Sequence, residues 1–324
     1  MTKAIRIHKT GGPEVLTWED VDVPAPGANE IRLKQTAIGL NFIDIYHRQG
    51  LYPLNLPIAL GTEGAGVITA LGSGVTDLKL GQRVAYAGGQ IGAYAEERIL
   101  AADVALPLPD SIDDKVAAAV TLKGLTAHML LFKVHRVKKD DKVLIQAAAG
   151  GVGLILVQWA KHLGCIVIGT AGGADKVAIA KHYGCDHVID YKAEQFVPKV
   201  KELTGGKGVD VVYDGVGKDT FLGGLDCLGL FGHMVTYGNA SGPVDPIPPL
   251  LLTQKGSLTL SRPTLFNYTA DPVVRRKAAA DLFDVIARGY VKIEVPQTYA
   301  LKDAAKAHND LAARKTTGST VLIP

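Results

Sequence analysis

The sequence has little of several features that would assign it to a class at once. Its 324 residues include only three cysteines, Cys165, Cys185 and Cys227. They form no C-x-x-C pair and are too few for a disulfide framework or a four-thiolate zinc site, so they indicate a reducing compartment. The first residues, MTKAIRIHKTGG, enter a strand-like alternation and lack the apolar core of a signal peptide, which favours the cytoplasm.

Charge, motifs and hydrophobic runs give little support to three further classes. The net charge is only +3, the basic residues are scattered, and aromatic residues make up 6%, which is a poor nucleic-acid footprint. The chain has no G-x-S-x-G motif, so the nucleophile elbow of the serine hydrolases is absent. The apolar stretch at residues 143–160 contains Gln146, Gln158 and several glycines, which argues against a membrane span.

The chain does have the composition of a folded protein and two successive structural patterns. Hydrophobic residues make up 47% and charged residues 21%, and the length suits two domains. Short strands bounded by Gly, Pro, Asn and Asp predict a β-rich domain over residues 1–120, to which residues 262–324 return. Regular alternation of strands and helices predicts an α/β domain with a doubly wound parallel sheet, a Rossmann fold, over residues 121–261.

A helix is expected to lead from the first domain into the second. PLPDSID at residues 107–113 marks the exit from the β-rich domain, with Ser111 as the candidate helix cap. Lys123 and Thr126 are expected to open the helix that follows.

The motif with the most specific chemistry is AAAGGVG at residues 147–153. It lies between a strand pattern, KVLIQ, and a helix pattern, LILVQWAKHLG, as a dinucleotide-binding fingerprint requires. In register with G-x-G-x-x-G, alanine occupies the first position at Ala148. Gly150 would let the backbone approach a pyrophosphate, and Gly153 would let the helix pack close to the strand. The predicted phosphate-binding residues are Gly150, Gly151, Val152 and Gly153.

The end of the next strand distinguishes the two nicotinamide cofactors. NAD enzymes place an Asp or Glu there for the ribose 2′-hydroxyl, whereas this strand ends in GTAGG, with Gly173 last and no acid. Lys176 could meet a 2′-phosphate, and Tyr191, after the third strand, could close over it. These residues favour NADPH over NADH. The alternative is a solvated helix lysine and a surface tyrosine.

Segments spread over nearly the whole chain carry a family resemblance. They are GGPEVL (residues 11–16), AIGLNFIDIYHRQGLYP (37–53), LGTEGAGVI (60–68), LKGLTAHMLL (122–131), AAAGGVG and the terminal GSTVLIP. Together they resemble the medium-chain dehydrogenase/reductase superfamily, and most closely the bacterial quinone oxidoreductases related to zeta-crystallin. The resemblance implies that the β-rich domain is a GroES-like catalytic domain and that the protein is a homodimer, with the edge strand near SLTLSRP as a contact.

The resemblance also bears on metal binding. Zinc-dependent members place a cysteine ligand where this sequence has Asn41, and a histidine ligand in the motif that here reads Gly61-Thr62-Glu63. The region of their four-cysteine lobe corresponds to AYAGGQIGAYAEERILAADVALP, which contains no cysteine. We therefore expect no metal, so that organic groups and the cofactor activate the substrate.

The resemblance implies roles for residues near the acceptor. It places Asn41 and Tyr46 beside the nicotinamide, where an amide and a phenol can donate to a carbonyl oxygen, so we take them as catalytic. Tyr52 is a candidate wall of the substrate pocket. The residues alone leave alternatives open, namely a packed core tyrosine at Tyr46 and a turn or helix cap at Asn41. Asp44 is expected to be a structural hydrogen-bonding partner.

Four more residues receive roles toward the two ligands. Asn239 follows a predicted strand at the edge where doubly wound sheets bind ligands, and the family pattern makes it a nicotinamide contact. Thr126 and Arg314 are likewise implied cofactor contacts, with helix capping as the alternative for Thr126. Arg262 either borders the substrate pocket or pairs with an acid.

The leading hypothesis is an NADPH-dependent quinone reductase that works without a metal. An alternative within the superfamily is reduction of activated double bonds in enals, enones or enoyl thioesters. An alternative of another class is a nucleotide-bound RNA-binding or crystallin-like protein, for which the low charge and aromatic content are unfavourable. The sequence leaves open the physiological acceptor, transfer of hydride or of single electrons, and the subunit number.

Overall fold

The structure is a computed structural model that describes all residues, Met1–Pro324. Its contacts divide the chain into two units. The first unit comprises Met1–Leu125, Asp271–Ala287 and Ile293–Pro324. The second unit comprises Thr126–Ala270 and Arg288–Lys292. The first unit contains two sheets and the second unit one, and each unit has its own buried core.

Strands and helices are numbered in chain order. The strands are β1 (Thr2–Ile7), β2 (Thr17–Val21), β3 (Glu30–Leu40), β4 (Ile58–Ala59), β5 (Glu63–Leu71), β6 (Arg83–Ala87), β7 (Glu97–Ala101), β8 (Leu106–Pro107), β9 (Lys142–Ile145), β10 (Ile166–Ala171), β11 (His187–Asp190), β12 (Val209–Asp214), β13 (Leu228–Thr236), β14 (Thr259–Ser261), β15 (Gln297–Ala300) and β16 (Thr320–Ile323). The helices are α1 (Phe42–Gln49), α2 (Asp114–Met129), α3 (Gly151–His162), α4 (Ala174–His182), α5 (Phe196–Leu203), α6 (Phe221–Cys227), α7 (Leu250–Gln254), α8 (Leu265–Tyr268), α9 (Pro272–Ala287) and α10 (Ala304–Ala312).

The first unit is built on a seven-stranded sheet in the order β15-β16-β3-β5-β6-β8, with β7 also paired to β3. Strand β3 is the longest, and alternate residues such as Ile31 and Leu33 are fully buried while their neighbours are not. This period of two is the pattern of a half-buried antiparallel strand. A smaller sheet, β2-β1-β4, packs its residues Ile5 and Ile7 into the same core. The prediction of a β-rich first region is confirmed.

The second unit contains a six-stranded sheet in which every pairing is parallel, in the order β11-β10-β9-β12-β13-β14. Counted from β9, this is the 3-2-1-4-5-6 order of a dinucleotide-binding fold. Helices join successive strands, and residues of the central strands such as Leu144 and Val212 are fully buried. The predicted doubly wound parallel sheet is confirmed. Its strand order reverses between β9 and β12, where ligands of such sheets bind.

The predicted start of the helix after the β-rich region was wrong. Helix α2 begins at Asp114, and the main-chain N–H of Lys115 donates to Asp113 Oδ1 at 2.8 Å. Asp113 is therefore the cap, and Ser111 lies in the preceding turn. Aspartate and serine cap helices almost equally well, so local preference did not decide between them.

One helical segment, Asp114–Val134, is long and apolar enough by length and composition to cross a membrane. Most of it is buried within the protein, and the core helix of a soluble protein passes the same test.

Candidate functional site

The turn after β9 in the second unit presents main-chain groups where the strand order reverses. Ala147 adopts a positive φ of 55°, and the N–H of Gly150 donates to the Ala147 carbonyl at 2.9 Å. The N–H of Ala148 donates to the carbonyl of Thr170 on β10 at 2.9 Å, which fixes the turn to the neighbouring strand. The bend is thus formed at Ala147, one residue before the position that the G-x-G-x-x-G register suggested.

The predicted phosphate-binding residues form the first turn of α3, with Gly150 as the capping residue. A Cβ at Gly153 would overlap the Ala147 carbonyl oxygen, so only glycine lets α3 lie this close to the turn. The first N–H groups of a helix have no intrahelical partner, and no acidic side chain lies in this turn. The main-chain groups of Gly151 and Val152 can therefore receive an anion.

The end of β10 carries the residues expected near a 2′-phosphate. The main chain bends at Gly173, which has a φ of +96°, and α4 then places Lys176 in its first turn. A Cβ at Gly172 would overlap the hydroxyl of Tyr191, so the tyrosine ring lies against this glycine. The structure brings Gly173 and Tyr191 to the same bend, with Lys176 one turn along the helix.

An acid near this bend was missed in the sequence. Asp190 ends β11, and its Oδ1 accepts the N–H groups of Gly173 at 2.9 Å and Lys192 at 3.0 Å. The bond from Gly173, and then that from Lys192, lowers the pKa of Asp190. This carboxylate anchors the bend through main-chain groups. It belongs to the third strand rather than to the tip of β10.

Two buried polar atoms at the carboxyl edge of the sheet have no hydrogen-bond partner. They are Gln146 Nε2, just after β9, and Thr236 Oγ1, at the end of β13. Such atoms are costly to bury unsatisfied, and a polar ligand at this edge would satisfy them. Neither residue was assigned a ligand role from the sequence, although Gln146 follows a strand pattern and Thr236 ends one at the expected edge.

Asn239 and Arg262 lie after the two strands at this end of the sheet. Asn239 follows β13, in a loop that packs against the turn at Gly217. Arg262 follows the edge strand β14, is exposed, and belongs to the second unit rather than to the residues that return to the first. Its positive charge acts to lower the pKa of the buried Asp214, although burial raises that pKa overall.

The first unit contains a cluster of charged side chains around Glu63, at the start of β5. This carboxylate is fully buried and accepts hydrogen bonds from Lys123 Nζ at 2.9 Å and Asn41 Nδ2 at 2.7 Å. Its other oxygen accepts the N–H of Leu122 at 2.6 Å. A buried carboxylate with three donors, one of them a cation, is electrostatically compensated. In the sequence, Glu63 stands out only as part of a motif that lacks the histidine of the zinc-dependent relatives.

Asn41 is held at both its main chain and its side chain. It is the capping residue of α1, and its N–H donates to Asp44 Oδ2 at 2.9 Å. Its side-chain amide points to Glu63 at 2.7 Å. The helix-cap alternative thus describes the backbone position, while the amide belongs to the charged cluster.

The structure brings together Tyr46, predicted to be catalytic, and Tyr52, predicted to be a wall of the substrate pocket. Their rings meet edge to face with centroids 5.8 Å apart, and Tyr46 also lies 6.2 Å from the ring of Phe42 one turn earlier. Tyr46 is buried, which fits a packed tyrosine as well as a donor at a pocket. Tyr52 also meets the ring of His47 at 5.9 Å.

Two remaining candidates lie elsewhere in the chain. Thr126 lies in the second half of α2, and Lys123 lies one turn before it, so neither opens the helix and capping by Thr126 is excluded by position. Arg314 is exposed in the turn between α10 and β16, with a φ of 58°.

No group of three or more His, Cys, Asp or Glu side chains is arranged to hold a metal ion.

Comparison with known families finds matches over most of the chain. A family model described as "Zinc-binding dehydrogenase" matches residues 151–276, from the start of α3 into α9. A second, described as "Alcohol dehydrogenase GroES-like domain", matches residues 27–110, and so confirms the GroES-like prediction for the β-rich region.

Individual proteins are similar over their full length. A quinone oxidoreductase of Pseudomonas aeruginosa is 50% identical over 325 residues, covering 100% of both chains. A 2-haloacrylate reductase of Burkholderia sp. is 45% identical, covering 100% of this chain and 99% of its own. The crystal structure of Escherichia coli quinone oxidoreductase complexed with NADPH matches with a TM-score of 0.98 and 48% identity, covering 99% of this chain and 100% of that one.

Proposed function

The chain belongs to the medium-chain dehydrogenase/reductase family, among its quinone oxidoreductases, and on this premise we propose that it is an NADPH-dependent quinone reductase. One observation carries the proposal: the full-length match to an NADPH complex of a quinone oxidoreductase, at a TM-score of 0.98. The glycine-built turn at the reversal point of the parallel sheet is the place where such a fold binds a dinucleotide.

The residues of the second unit fit NADPH. A side chain at Gly153 would block the approach of α3 to the turn, and the unpartnered Gln146 Nε2 and Thr236 Oγ1 mark the ligand edge. The main-chain groups of residues 150–153 would bind the pyrophosphate. Lys176 and Tyr191 would bind the 2′-phosphate at the acid-free end of β10, and Gly173 gives the bend between them.

The cofactor supplies the hydride, and the protein positions the acceptor and stabilises charge on its oxygen. In this proposal the amide of Asn41 and the phenol of Tyr46 donate hydrogen bonds to a quinone carbonyl oxygen. Glu63 holds the Asn41 amide in one orientation, because its Oε1 accepts Asn41 Nδ2 at 2.7 Å. Tyr52, edge to face with Tyr46, forms part of the pocket wall.

Further residues receive proposed roles on the strength of the family alone. Thr126, Asn239 and Arg314 are proposed cofactor contacts. Arg262 is proposed at the border of the substrate pocket, although its charge also interacts with Asp214. The two units are proposed to be the catalytic and the nucleotide-binding domain, and the predicted bounds at residues 120 and 261 stay a prediction.

We propose that no metal takes part. The two positions that hold zinc ligands in zinc-dependent relatives carry groups already engaged here: Asn41 Nδ2 bonds Glu63, and Thr62 Oγ1 donates to Asp44 Oδ1 at 3.2 Å. Lys123 already supplies the cation beside Glu63. Dialysis against a chelator should therefore leave the rate unchanged, and inhibition that zinc reverses would contradict this.

A homodimer in the cytoplasm is also proposed. Strand β14 is an edge of the parallel sheet, and large apolar side chains are exposed on it at Leu260 and on its neighbour β13 at Leu230 and Phe231. An unpaired edge with exposed apolar residues favours pairing with a second copy. Sedimentation equilibrium would test this.

A second function is favoured by one observation, the 45% identity to a 2-haloacrylate reductase, whose name describes reduction of an acrylate. The same hydride would then reach an activated carbon–carbon double bond. The deciding experiment is a steady-state panel of NADPH and NADH against benzoquinone, naphthoquinone, an alkenal and 2-chloroacrylate. Quinone-dependent oxidation of NADPH supports the proposal, and oxidation by the alkene acceptors alone would replace it with the second function.

A further inference from the structure

A series of buried polar side chains in the first unit leads from the end of α1, by way of α10, back to the beginning of α1. Its members are Arg48, His308, Tyr94 and Asp44, and none of them is more than 2% exposed. None has a role in the reaction as proposed above. A buried network of this kind is costly unless every member is satisfied, so the direction of each hydrogen bond is informative.

The directions of the hydrogen bonds follow from the arginine. Arg48 Nη1 lies 3.2 Å from His308 Nδ1, and because a guanidinium only donates, Nδ1 accepts and the imidazole proton lies on Nε2. Nε2 therefore donates to the hydroxyl of Tyr94 at 2.9 Å. The single proton of that hydroxyl is then directed to Asp44 Oδ2 at 3.0 Å.

Asp44 receives two further donors at the start of α1. The N–H of Asn41 donates to Oδ2 at 2.9 Å, and the hydroxyl of Thr62 donates to Oδ1 at 3.2 Å. All three bonds require an acceptor, and an ionised carboxylate accepts them best. Asp44 is thus the one group that joins the buried series to the main chain of Asn41.

Resting on the proposed quinone reduction, we propose that Asp44 is a positioning residue whose ionised carboxylate fixes the main chain at Asn41, and thereby the amide that donates to the acceptor oxygen. The hydroxyl of Tyr94 holds this carboxylate at Oδ2, the oxygen that also accepts the Asn41 N–H, and His308 and Arg48 orient that hydroxyl in turn. Protonation of Asp44 weakens all three of its accepted bonds and loosens the start of α1.

The groups around Asp44 place its protonation in a pH range that an enzyme assay can cover. Burial raises the pKa of Asp44 to about 7, with a smaller upward contribution from the Glu63 carboxylate, against the lowering effect of its three donors. Burial lowers the pKa of His308 to about 3 and that of the neighbouring His47 to about 4, so both histidines stay neutral near pH 7. Burial raises the pKa of Tyr94 well above its ordinary value and lowers that of Arg48 from its ordinary value. A guanidinium side chain nevertheless stays protonated in proteins.

The first test compares pH profiles of wild type and Asp44→Asn, with NADPH and benzoquinone as substrates. In the wild type, kcat/KM for benzoquinone should rise with pH through about 7, as Asp44 ionises. Asp44→Asn, which accepts through one oxygen and carries no charge, should give a flat profile about 10- to 100-fold below the wild-type plateau. The KM for NADPH should stay within about twofold, because the proposed nucleotide cradle, residues 147–153, lies in the second unit.

The second test uses two buried tyrosines. Tyr94→Phe removes a donor that lowers the pKa of Asp44, so the midpoint of the pH profile should move upward. Tyr86→Phe is the matched control, because Tyr86 is also fully buried but donates to Gln35. A role in stability alone would lower the activity of both variants and leave both midpoints in place.

A third measurement does not depend on activity. The folded pKa of Asp44 is raised above its ordinary value of 3.8, so the folded state binds this proton more tightly and loses stability as pH rises from about 4 to about 7. Asp44→Asn lacks this loss. The difference between the urea midpoints of Asp44→Asn and wild type should therefore increase as pH rises from about 4 to about 7, and stay constant above pH 7.

The outcomes separate this inference from the function on which it rests. A flat pH profile of the wild type overturns the positioning role and leaves quinone reduction intact. The same conclusion follows if Asp44→Asn has the wild-type pH profile while the urea midpoints shift as expected. Equal midpoints for Tyr94→Phe and Tyr86→Phe overturn the role of Tyr94. Failure of the wild type to oxidise NADPH with benzoquinone overturns the proposed function, and this inference with it.

Discussion

The two units handle polar chemistry in opposite ways. The second unit presents main-chain N–H groups on a turn of small residues, where Gly153 allows the close approach of α3. The first unit buries charged side chains, with Glu63 between Lys123 and Asn41 and with Asp44 at the end of a hydrogen-bonded series. The second unit is proposed to receive an anion through shape and main-chain dipoles, whereas the first depends on the pairing of charges out of water.

This difference predicts how each region responds to mutation. In the cradle, added volume should matter more than loss of a functional group, because the side chains there are small. In the charged cluster, loss of one partner should matter most, because the remaining charge stays buried. The variants below are ordered by the free energy that we expect each to change.

The largest effect is expected from Lys123→Met. Removing the cation leaves the fully buried Glu63 carboxylate without its charged partner, which should destabilise the protein by about 3–5 kcal/mol. Urea denaturation measures this. The control is Lys277→Met, whose ion pair with Asp281 on α9 is exposed and should be worth less than about 1 kcal/mol. Equal losses in the two variants would show that burial of the pair is not what matters.

Tyr46→Phe tests the donor at the acceptor oxygen. Loss of one hydrogen bond to developing charge should lower kcat with benzoquinone about 100-fold and leave the KM for NADPH unchanged. Tyr52→Phe should cost far less, because Tyr52 is assigned only to the pocket wall. An unchanged kcat in Tyr46→Phe would leave this ring, packed against Tyr52 and Phe42, with a packing role only.

A pair of glycine variants separates packing from binding in the cradle. Gly153→Ala forces a Cβ into the Ala147 carbonyl and should destabilise the protein without cofactor by about 1–3 kcal/mol. A Cβ at Gly150 meets only the Ala147 oxygen, at 3.2 Å, so Gly150→Ala should change stability little and mainly weaken NADPH binding. Urea midpoints and fluorescence titration with NADPH distinguish the two. The reverse pattern would contradict the assignment of these glycines.

The smallest effect is expected from Lys176→Ala. Loss of one charged contact to the 2′-phosphate should raise the KM for NADPH about tenfold and leave that for NADH nearly unchanged. Lys181→Ala, in the last turn of the same helix α4, is the matched control and should change neither constant. Equal effects of Lys176→Ala on the two cofactors would remove the 2′-phosphate from its proposed role.

The two regions also differed in how far the sequence predicted them. AAAGGVG lies on one continuous strand–turn–helix segment, so its residues and its setting were found together. The sequence located Asn41 but missed its partner Glu63, which is 22 residues away, and the link from Glu63 to Lys123, which spans 60 residues. The series from Arg48 to His308 spans 260 residues, and nothing local marks either residue as its member.

One local prediction, the capping residue of α2, failed because two neighbouring residues are almost equally good helix caps. Ser111 and Asp113 are both good helix caps, and the structure uses Asp113. The sequence shows correctly that no acid stands at the end of β10. Asp190 of β11 nevertheless accepts a hydrogen bond from Gly173 in the same bend, and only the pairing of β10 with β11 brings it there.

The sequence by itself determined the two classes of domain, the strand–turn–helix setting of AAAGGVG and the family, because periodicity, small residues and motif spacing are local properties. Only the tertiary structure decided which carboxylates are buried, what neutralises them and near which pH Asp44 ionises. The physical reason is that the pKa of a group depends on desolvation and on charges within a few ångströms, and those neighbours come from distant parts of the chain.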